Sequence, residues 1–435
     1  MSLSDFARWL GTREPVREIF SELGQGTRWS SVAPEARPIL LAGLWHSHSS
    51  VGFKGLIVTT TYERAIQWQA RLGLCGIPTE KIRIMPSGQN SLFEDSAPES
   101  IALSDRIGAM RALISDEPGI VIATAAAALE RTLPLDDLKS AFVKIEKVKD
   151  FDLDATIDLL ERIGYEKGEP VRVPGQYSRR GGILDIFPMG SDRPVRIELF
   201  GDEVESLRFF DPTTQRSTGD VESLEISPSR ETLLPALGSD VIELVERSLE
   251  LECSRLSSEN ADRLRELVEG DVRSLRNRIF FDRLDLYRPL LHSESGCAID
   301  LLPETGLLIL DEPHELEAAA SRTEDELSQA LGHRCTRGEI LHSTANDYML
   351  PPEHLGSSER SLALVAGSAP SWYPAGPDHA IGAVSMAGYR GQPELLTKSL
   401  KDWLADQMVV GISTDQPMRA KAVFSQVQMF TLLRK

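Results

Sequence analysis

The sequence predicts an α/β fold with a mostly parallel sheet, interrupted by a unit of α+β antiparallel class. Three observations predict it. Short buried-strand runs alternate with amphipathic helices up to about residue 141; strands with tight turns fill 142–228; buried-strand runs return after residue 300. A βαβα order implies a parallel sheet covered on both faces, whereas alternating strands joined by short turns imply antiparallel pairing.

In the first stretch, Pro38–Leu44 (PILLAGL), Gly55–Thr60, Ile82–Met85 and Gly119–Thr124 read as buried strands. Tyr62–Leu72 reads as a helix stopped by Gly73. Ile101–Ile114 reads as another, with Leu103, Ile107, Met110 and Ile114 at spacings of three and four. Near residue 142 the pattern changes. Phe142–Val148 alternates apolar and charged residues, and Asp152–Ile163 is a helix with Asp152 or Asp154 as N-cap, Leu153, Ile157 and Leu160 on one face, and Gly164 as its stop. Then come GGILDIF, RPVRIELF and EVESLRFF, with Gly201-Asp202 suited to a two-residue hairpin turn of the II′ type. Residues 239–295 read as helical and charged. Gly306–Leu310 and Ser361–Ala366 are strand candidates, with a helix from Pro313 through Ala330 between them. Residues 367–380 read as a loop, Glu394–Ala405 as a helix, Met408–Ile412 as a strand, and MRAKAVFSQVQMF as a closing helix.

Composition narrows the function classes. The 435 residues carry 47 Lys+Arg against 66 Asp+Glu, a formal charge of -19. Phosphate binding depends on a positive surface, so nucleic-acid contact would need a local basic island. No two of Cys75, Cys253, Cys297 and Cys335 have CxxC spacing, so neither a zinc site nor a disulfide framework is expected. The opening MSLSDFARWLGTREPV lacks an apolar signal region, and no apolar run reaches membrane-span length. A soluble, reduced, cytoplasmic chain is expected.

Nucleotide chemistry needs a phosphate cradle after the first strand. That place reads LLAGLWHSHSSVGFKG, and GxxxxGK[ST] occurs nowhere in the chain. The string LLILDEPH looks like a Walker B box, in which Asp311 and Glu312 would hold magnesium, but without a phosphate cradle they read as a degenerate remnant beside helix caps. His46 and His48 stand at i, i+2 with no third ligand nearby, and read as loop histidines. No metal and no cofactor is expected.

The richest segment is Val171–Asp211. Between Arg172 and Arg196 lie five arginines (Arg172, Arg179, Arg180, Arg193, Arg196) against Asp185 and Asp192, a local +3. Read at period two, PVRIELF puts Val195, Ile197 and Leu199 on a core face, leaving Arg196, Glu198 and Phe200 on the other. Arg beside an aromatic on a polar face is what protein interfaces favour. The plainer alternative covers Phe200 within its own domain and pairs Arg196 with Glu198. On these residues alone the two readings balance.

The segment PGQYSRRGGILDIFPMGSDRPVRIELFGDEVESLRFFDPTTQRS resembles the second domain of transcription-repair coupling factors and is similar to the corresponding domain of UvrB. The RGGILDIFP, RIELF and FDPTTQRS elements carry the likeness. Weaker similarity extends through IRIMPSGQNSLFEDSAPES and FFDRLDLYRPLLH, over roughly residues 35–430. The resemblance implies a helicase-like α/β domain built from two chain segments, 1–141 and 229–390, around an inserted UvrA-binding α+β domain, 142–228. Residues 391–435 would begin a further α/β module, so that the chain is a fragment or a truncated product. It also implies that the ATP site is lost and that Arg180, Arg196 and Phe200 contact UvrA. RNA polymerase and DNA would be engaged only through domains outside this chain. The expected function is a non-catalytic adaptor that recruits UvrA to stalled transcription complexes. The rival readings are an ATP-dependent helicase or translocase using Asp311, and a UvrB-like DNA-binding subunit using the arginine island.

Overall fold

In the computed structural model, which describes residues 2–410 except 49–52, 89, 94–99, 148, 150, 236–239, 293–294, 368, 387, 390 and 409, the chain builds two large sheets of different class and a two-stranded ribbon. Strands β1 (Thr27–Val32), β2 (Lys54–Thr59), β3 (Ile82–Met85) and β4 (Gly119–Thr124) come first. Then follow β5 (Val143–Glu146), β6 (Glu166–Lys167), β7 (Gln176–Arg180), β8 (Ile183–Phe187), β9 (Val195–Phe200), β10 (Glu203–Phe210), β11 (Ser217–Asp220) and β12 (Ser223–Ile226). Last are β13 (Leu307–Asp311), β14 (Ser361–Val365) and β15 (Asp378–Ala383).

The main sheet has the order β15-β1-β14-β13-β2-β4-β3, and every pairing in it is parallel. Its central strands β2, β13 and β14 are buried at every position, as a sheet covered on both faces requires. Strands from both chain segments interleave: β13 from the second segment lies between β14 and β2. The second sheet, β11-β10-β9-β8-β7-β6, is antiparallel except for the β6–β7 pair. Ribbon β5–β12 brackets it in sequence. Among the described residues no helix is long and apolar enough to cross a membrane.

Several sequence expectations need correction. PILLAGL is not a strand but part of a helix, Arg37–His48, buried almost all round. A continuous apolar run cannot distinguish a buried helix from a buried strand, and Leu and Ala favour the helix. The true first strand, β1, was hidden by its polar residues Thr27, Arg28, Ser30 and Ser31. The helix from Tyr62 runs through Gly73 to Leu74, and the helix from Pro313 runs on to Thr336. Residues 378–380 belong to edge strand β15 rather than to a loop. Of the strand expected at 408–412 only Met408 and Val410 are described, and neither is in a strand; the closing helix lies outside the described residues.

The inserted unit joins the main domain through a buried ionic cluster. Arg106, from the helix Ser100–Ile114, donates to Glu231 through Nε at 2.8 Å and Nη2 at 3.2 Å, and its Nη1 lies 2.9 Å from Glu130. Arg288 reaches the same Glu231 at 3.8 Å and pairs with Asp285 at 3.0 Å. Glu130 follows β4, Glu231 follows β12, and Arg288 belongs to the returning segment, so three parts of the chain meet here. Burial opposes ionisation of Glu231, but Arg106 and Arg288 outweigh it and hold its carboxyl below the ordinary range. Glu231→Ala should cost about 3–5 kcal/mol of unfolding free energy in urea titration, because it removes the carboxylate shared by two buried guanidiniums and leaves each with one partner, Glu130 for Arg106 and Asp285 for Arg288.

Nearby, His292 is buried with Nδ1 3.5 Å from an Asp137 carboxylate oxygen. Burial, partly offset by Asp137, pushes its pKa down from 6.5 to about 4. Above pH 6.5 the imidazole is neutral in both folded and unfolded chains. As pH falls through that value the unfolded chain takes up a proton that the folded chain refuses until about pH 4. Stability should therefore fall across this window by an amount on the order of 3 kcal/mol, and His292→Gln should flatten that part of the stability–pH curve.

Candidate functional site

Two places concentrate chemistry-bearing side chains: the carboxyl edge of the main sheet and the outer face of the inserted sheet. In open parallel sheets, ligands bind beyond the carboxyl ends of strands. Here the ends of β1, β2, β13 and β14 converge on Asp311 and Glu312. The link from β1 to the next helix is Ala33–Ala36, without a glycine, so the cradle position lies there and not in LLAGLWHSHSSVGFKG.

A fully buried arginine fills that crevice. Arg37, at the start of its helix, donates to the Val32 carbonyl through Nε and Nη2, both at 3.1 Å, and forms ion pairs with Asp311 and Glu312. Asp311 also accepts from Trp68 Nε1 at 2.9 Å, Arg64 Nη2 at 3.1 Å and Thr59 Oγ1 at 3.4 Å. Glu312 accepts from the Ala366 amide at 3.1 Å and sits at φ 61°, a left-handed conformation uncommon for a side chain of its size. Protein donors thus surround both carboxylates where magnesium and phosphate would have to enter. Sequence reasoning missed Arg37 because it stands 274 positions from Asp311.

The inserted sheet is positioned by its apolar inner face. Tyr177, Leu184, Ile186, Val195, Ile197, Val204 and Leu207 are buried with Leu160 and Ile163 in one core. Each fully buried aliphatic side chain contributes about 1.5–3 kcal/mol, which fixes the side each strand turns outward. Phe200 pairs with Glu203 across the two-residue turn Gly201-Asp202, and Gly201 has φ 65° while Asp202 stays negative, as a II′ turn requires.

Cross-strand register then assembles the outer face. Arg180 stands opposite Ile183, Ile183 opposite Glu198, and Glu198 opposite Ser206; in the next row Asp185 stands opposite Arg196, and Arg196 opposite Arg208. Arg180, Arg196 and Phe200 therefore share one side. Phe200 is 80% exposed. Arg180 is exposed and has no ion-pair partner among the described residues. Two strand spacings and two residues separate it from Phe200, roughly 12 Å.

Arg196 is different. Its Nε and Nη2 donate to both oxygens of the buried Asp185 at 2.7 and 2.8 Å, and its guanidinium carbon lies 5.0 Å from the Phe210 ring centroid. The hydrogen-bonded Asp185 carboxylate raises its pKa further. Glu198, the partner considered from sequence, instead accepts from Ser206 Oγ at 2.6 Å and approaches Arg208 at 3.6 Å. Beyond Arg196 the same face closes over Val171, Phe187 and Phe210. Ile183, Asp185 and Arg208 are also on this face; the signal for them is cross-strand register, of ILDIF with VRIEL for Ile183 and Asp185 and of VRIEL with EVESLRFF for Arg208.

The arginine island does not form one patch. Arg179, in a row of the opposite face, pairs with Asp154, and Arg193, which precedes β9, lies 4.0 Å over the ring of Phe209, whose row also belongs to that face. His46 and His48 lie in the last turn of a helix rather than in a loop; His46 Nε2 is 3.2 Å from the Cys75 carbonyl and His48 Nδ1 3.1 Å from that of Leu44.

The UvrB interaction domain family matches residues 143–231, the span that carries the inserted sheet. The matched span is thus the insertion in a two-segment α/β domain. The chain is similar to the N-terminal, UvrB-like region of transcription-repair-coupling factors. It is 30% identical to that of Bacillus subtilis (strain 168) over 244 residues, 55% of this chain and 20% of the relative. It is 28% identical to that of Myxococcus xanthus over 378 residues, 84% of this chain and 30% of the relative. The UvrABC system protein B of Prochlorococcus marinus (strain MIT 9313) is 28% identical over 281 residues, 61% of this chain and 41% of the relative. The chain thus spans well under half the length of these relatives.

The geometry separates stability from exposure on one face. Arg196→Ala, which leaves Asp185 buried and unpaired, should lower the unfolding free energy by about 2–4 kcal/mol. Phe200→Ala should change it by less than about 1 kcal/mol in the same urea titrations.

Proposed function

We propose that this chain is a non-catalytic adaptor of transcription-coupled nucleotide excision repair, docking UvrA on the outer face of its inserted sheet and so recruiting it to stalled transcription complexes. The observation that carries the reading is the placing of a protruding Phe200 on the same outer face as Arg180, which is exposed and has no ion-pair partner among the described residues, within the span that matches the UvrB interaction domain. A large aromatic surface on the same face as an exposed guanidinium suits a protein partner offering an apolar pocket with a carboxylate or carbonyl group at its rim. Arg196 contributes through its remaining N–H groups, held in one orientation by Asp185.

The crowded crevice around Arg37 supports the non-catalytic part. A nucleotide phosphate would have to displace a buried guanidinium already neutralised by two carboxylates.

In a titration against purified UvrA, Phe200→Ala and Arg180→Ala should each weaken binding by at least about 2 kcal/mol, about 30-fold in Kd, with unchanged melting temperature. Wild-type affinity in both variants would refute the docking face. With magnesium and ATP the chain should show no turnover; hydrolysis that disappears in Asp311→Asn would refute the non-catalytic reading.

A further inference from the structure

Away from both sites, three potential metal ligands meet, two from a single turn and the third 54 residues further on. Cys297 Sγ, an Asp300 carboxylate oxygen and a His354 ring nitrogen all lie within 4.8 Å of one another. Cys297 and Asp300 belong to a tight turn that leads towards β13; His354 belongs to the short 3-10 turn Pro352–Gly356 that leads towards β14. The turn is tied to the main domain by the Ala298 amide, which donates to the Ala128 carbonyl at 3.2 Å, and by the Thr132 amide, which donates to that of Gly296 at 2.9 Å. Asp300 accepts from the Cys297 amide at 2.8 Å through one oxygen and lies 2.9 Å from His354 Nε2 through the other. Gly296 makes room for it: a Cβ there would stand 2.8 Å from Asp300 Oδ2.

We infer that Cys297, Asp300 and His354 form a binding site for one divalent transition-metal ion of the zinc type. One thiolate, one imidazole and one carboxylate are the donor set such ions prefer, whereas magnesium and calcium favour oxygen alone. Ligand atoms around tetrahedral zinc stand roughly 3.3–3.8 Å apart, given metal–ligand bonds of about 2.0–2.3 Å. Shifts of about 1 Å therefore complete the geometry. Burial is graded to suit it. Cys297 is fully buried, while the His354 and Asp300 side chains are 26% and 41% exposed, giving an ion a route in from solvent and a water the fourth position. Binding forms a metal–sulfur bond as the Cys297 thiol proton leaves to solvent, and it converts a surface His–Asp bridge into a staple between the segments preceding β13 and β14.

The test is a titration of the whole chain with zinc chloride against a chromogenic chelator, paired with the absorption spectrum after adding cobalt chloride. One equivalent of zinc should bind, zinc should raise the melting temperature, and cobalt should show tetrahedral bands with thiolate charge transfer. His354→Ala, a change at a part-exposed position, should fold normally, weaken zinc binding by at least about tenfold and lose the thermal shift. Cys297→Ser should lose the charge-transfer band. Zinc binding that is equally tight in His354→Ala would overturn the inference. So would charge transfer persisting in Cys297→Ser, since it would then come from Cys75, Cys253 or Cys335.

Discussion

The buried meeting of Arg106, Glu130, Glu231 and Arg288 is the constraint on which the molecule turns. A sheet whose strands come from segments nearly two hundred residues apart must hold its insertion at both ends. The helix Ala125–Leu129 that follows β4 is capped by Glu130, and the path back from β12 runs through Glu231. Two guanidiniums neutralise two carboxylates there, away from water, where an unpaired charge would cost several kcal/mol. The cluster thus fixes where the inserted sheet leaves the main domain and lets β13 slot between β14 and β2.

The same chemistry recurs in two further places with different outcomes. At the carboxyl edge of the main sheet, Arg37 and Arg64 saturate Asp311 and Glu312, and the donors converging there are spent on the protein itself. On the inserted sheet, Asp185 engages Arg196 but leaves Arg180 and Phe200 turned to solvent. In a chain with 66 acidic against 47 basic residues, carboxylates are plentiful and most arginines in these regions are claimed internally. Those left unclaimed stand out as candidates for contact with something else. The Phe200 ring stands out for the complementary reason, as a large apolar surface that no element of its own domain covers.

Particular elements show how far local reading reaches. Strand β9 was legible because one face is buried, so alternation writes its orientation directly into VRIELF. The Gly201-Asp202 turn was legible because a positive φ narrows the choice of residue. The helix Arg37–His48 was not, since burial on all sides erases the periodicity that separates helix from strand. Strand β1 was obscured by polar side chains on a backbone that neighbouring strands nonetheless pair on both edges.

From its residues alone, the chain determined the parallel and antiparallel halves and the outward side of Arg196 and Phe200. These depend on backbone periods and turn geometry, which act over a few residues. Tertiary structure alone decided that Asp185 takes Arg196, that Arg37 fills the crevice beside Asp311, and that His354 comes to Cys297 and Asp300. Such pairings join positions from eleven to 274 residues apart. No local propensity encodes them, because burial selects the partner only after the sheets have brought the segments together.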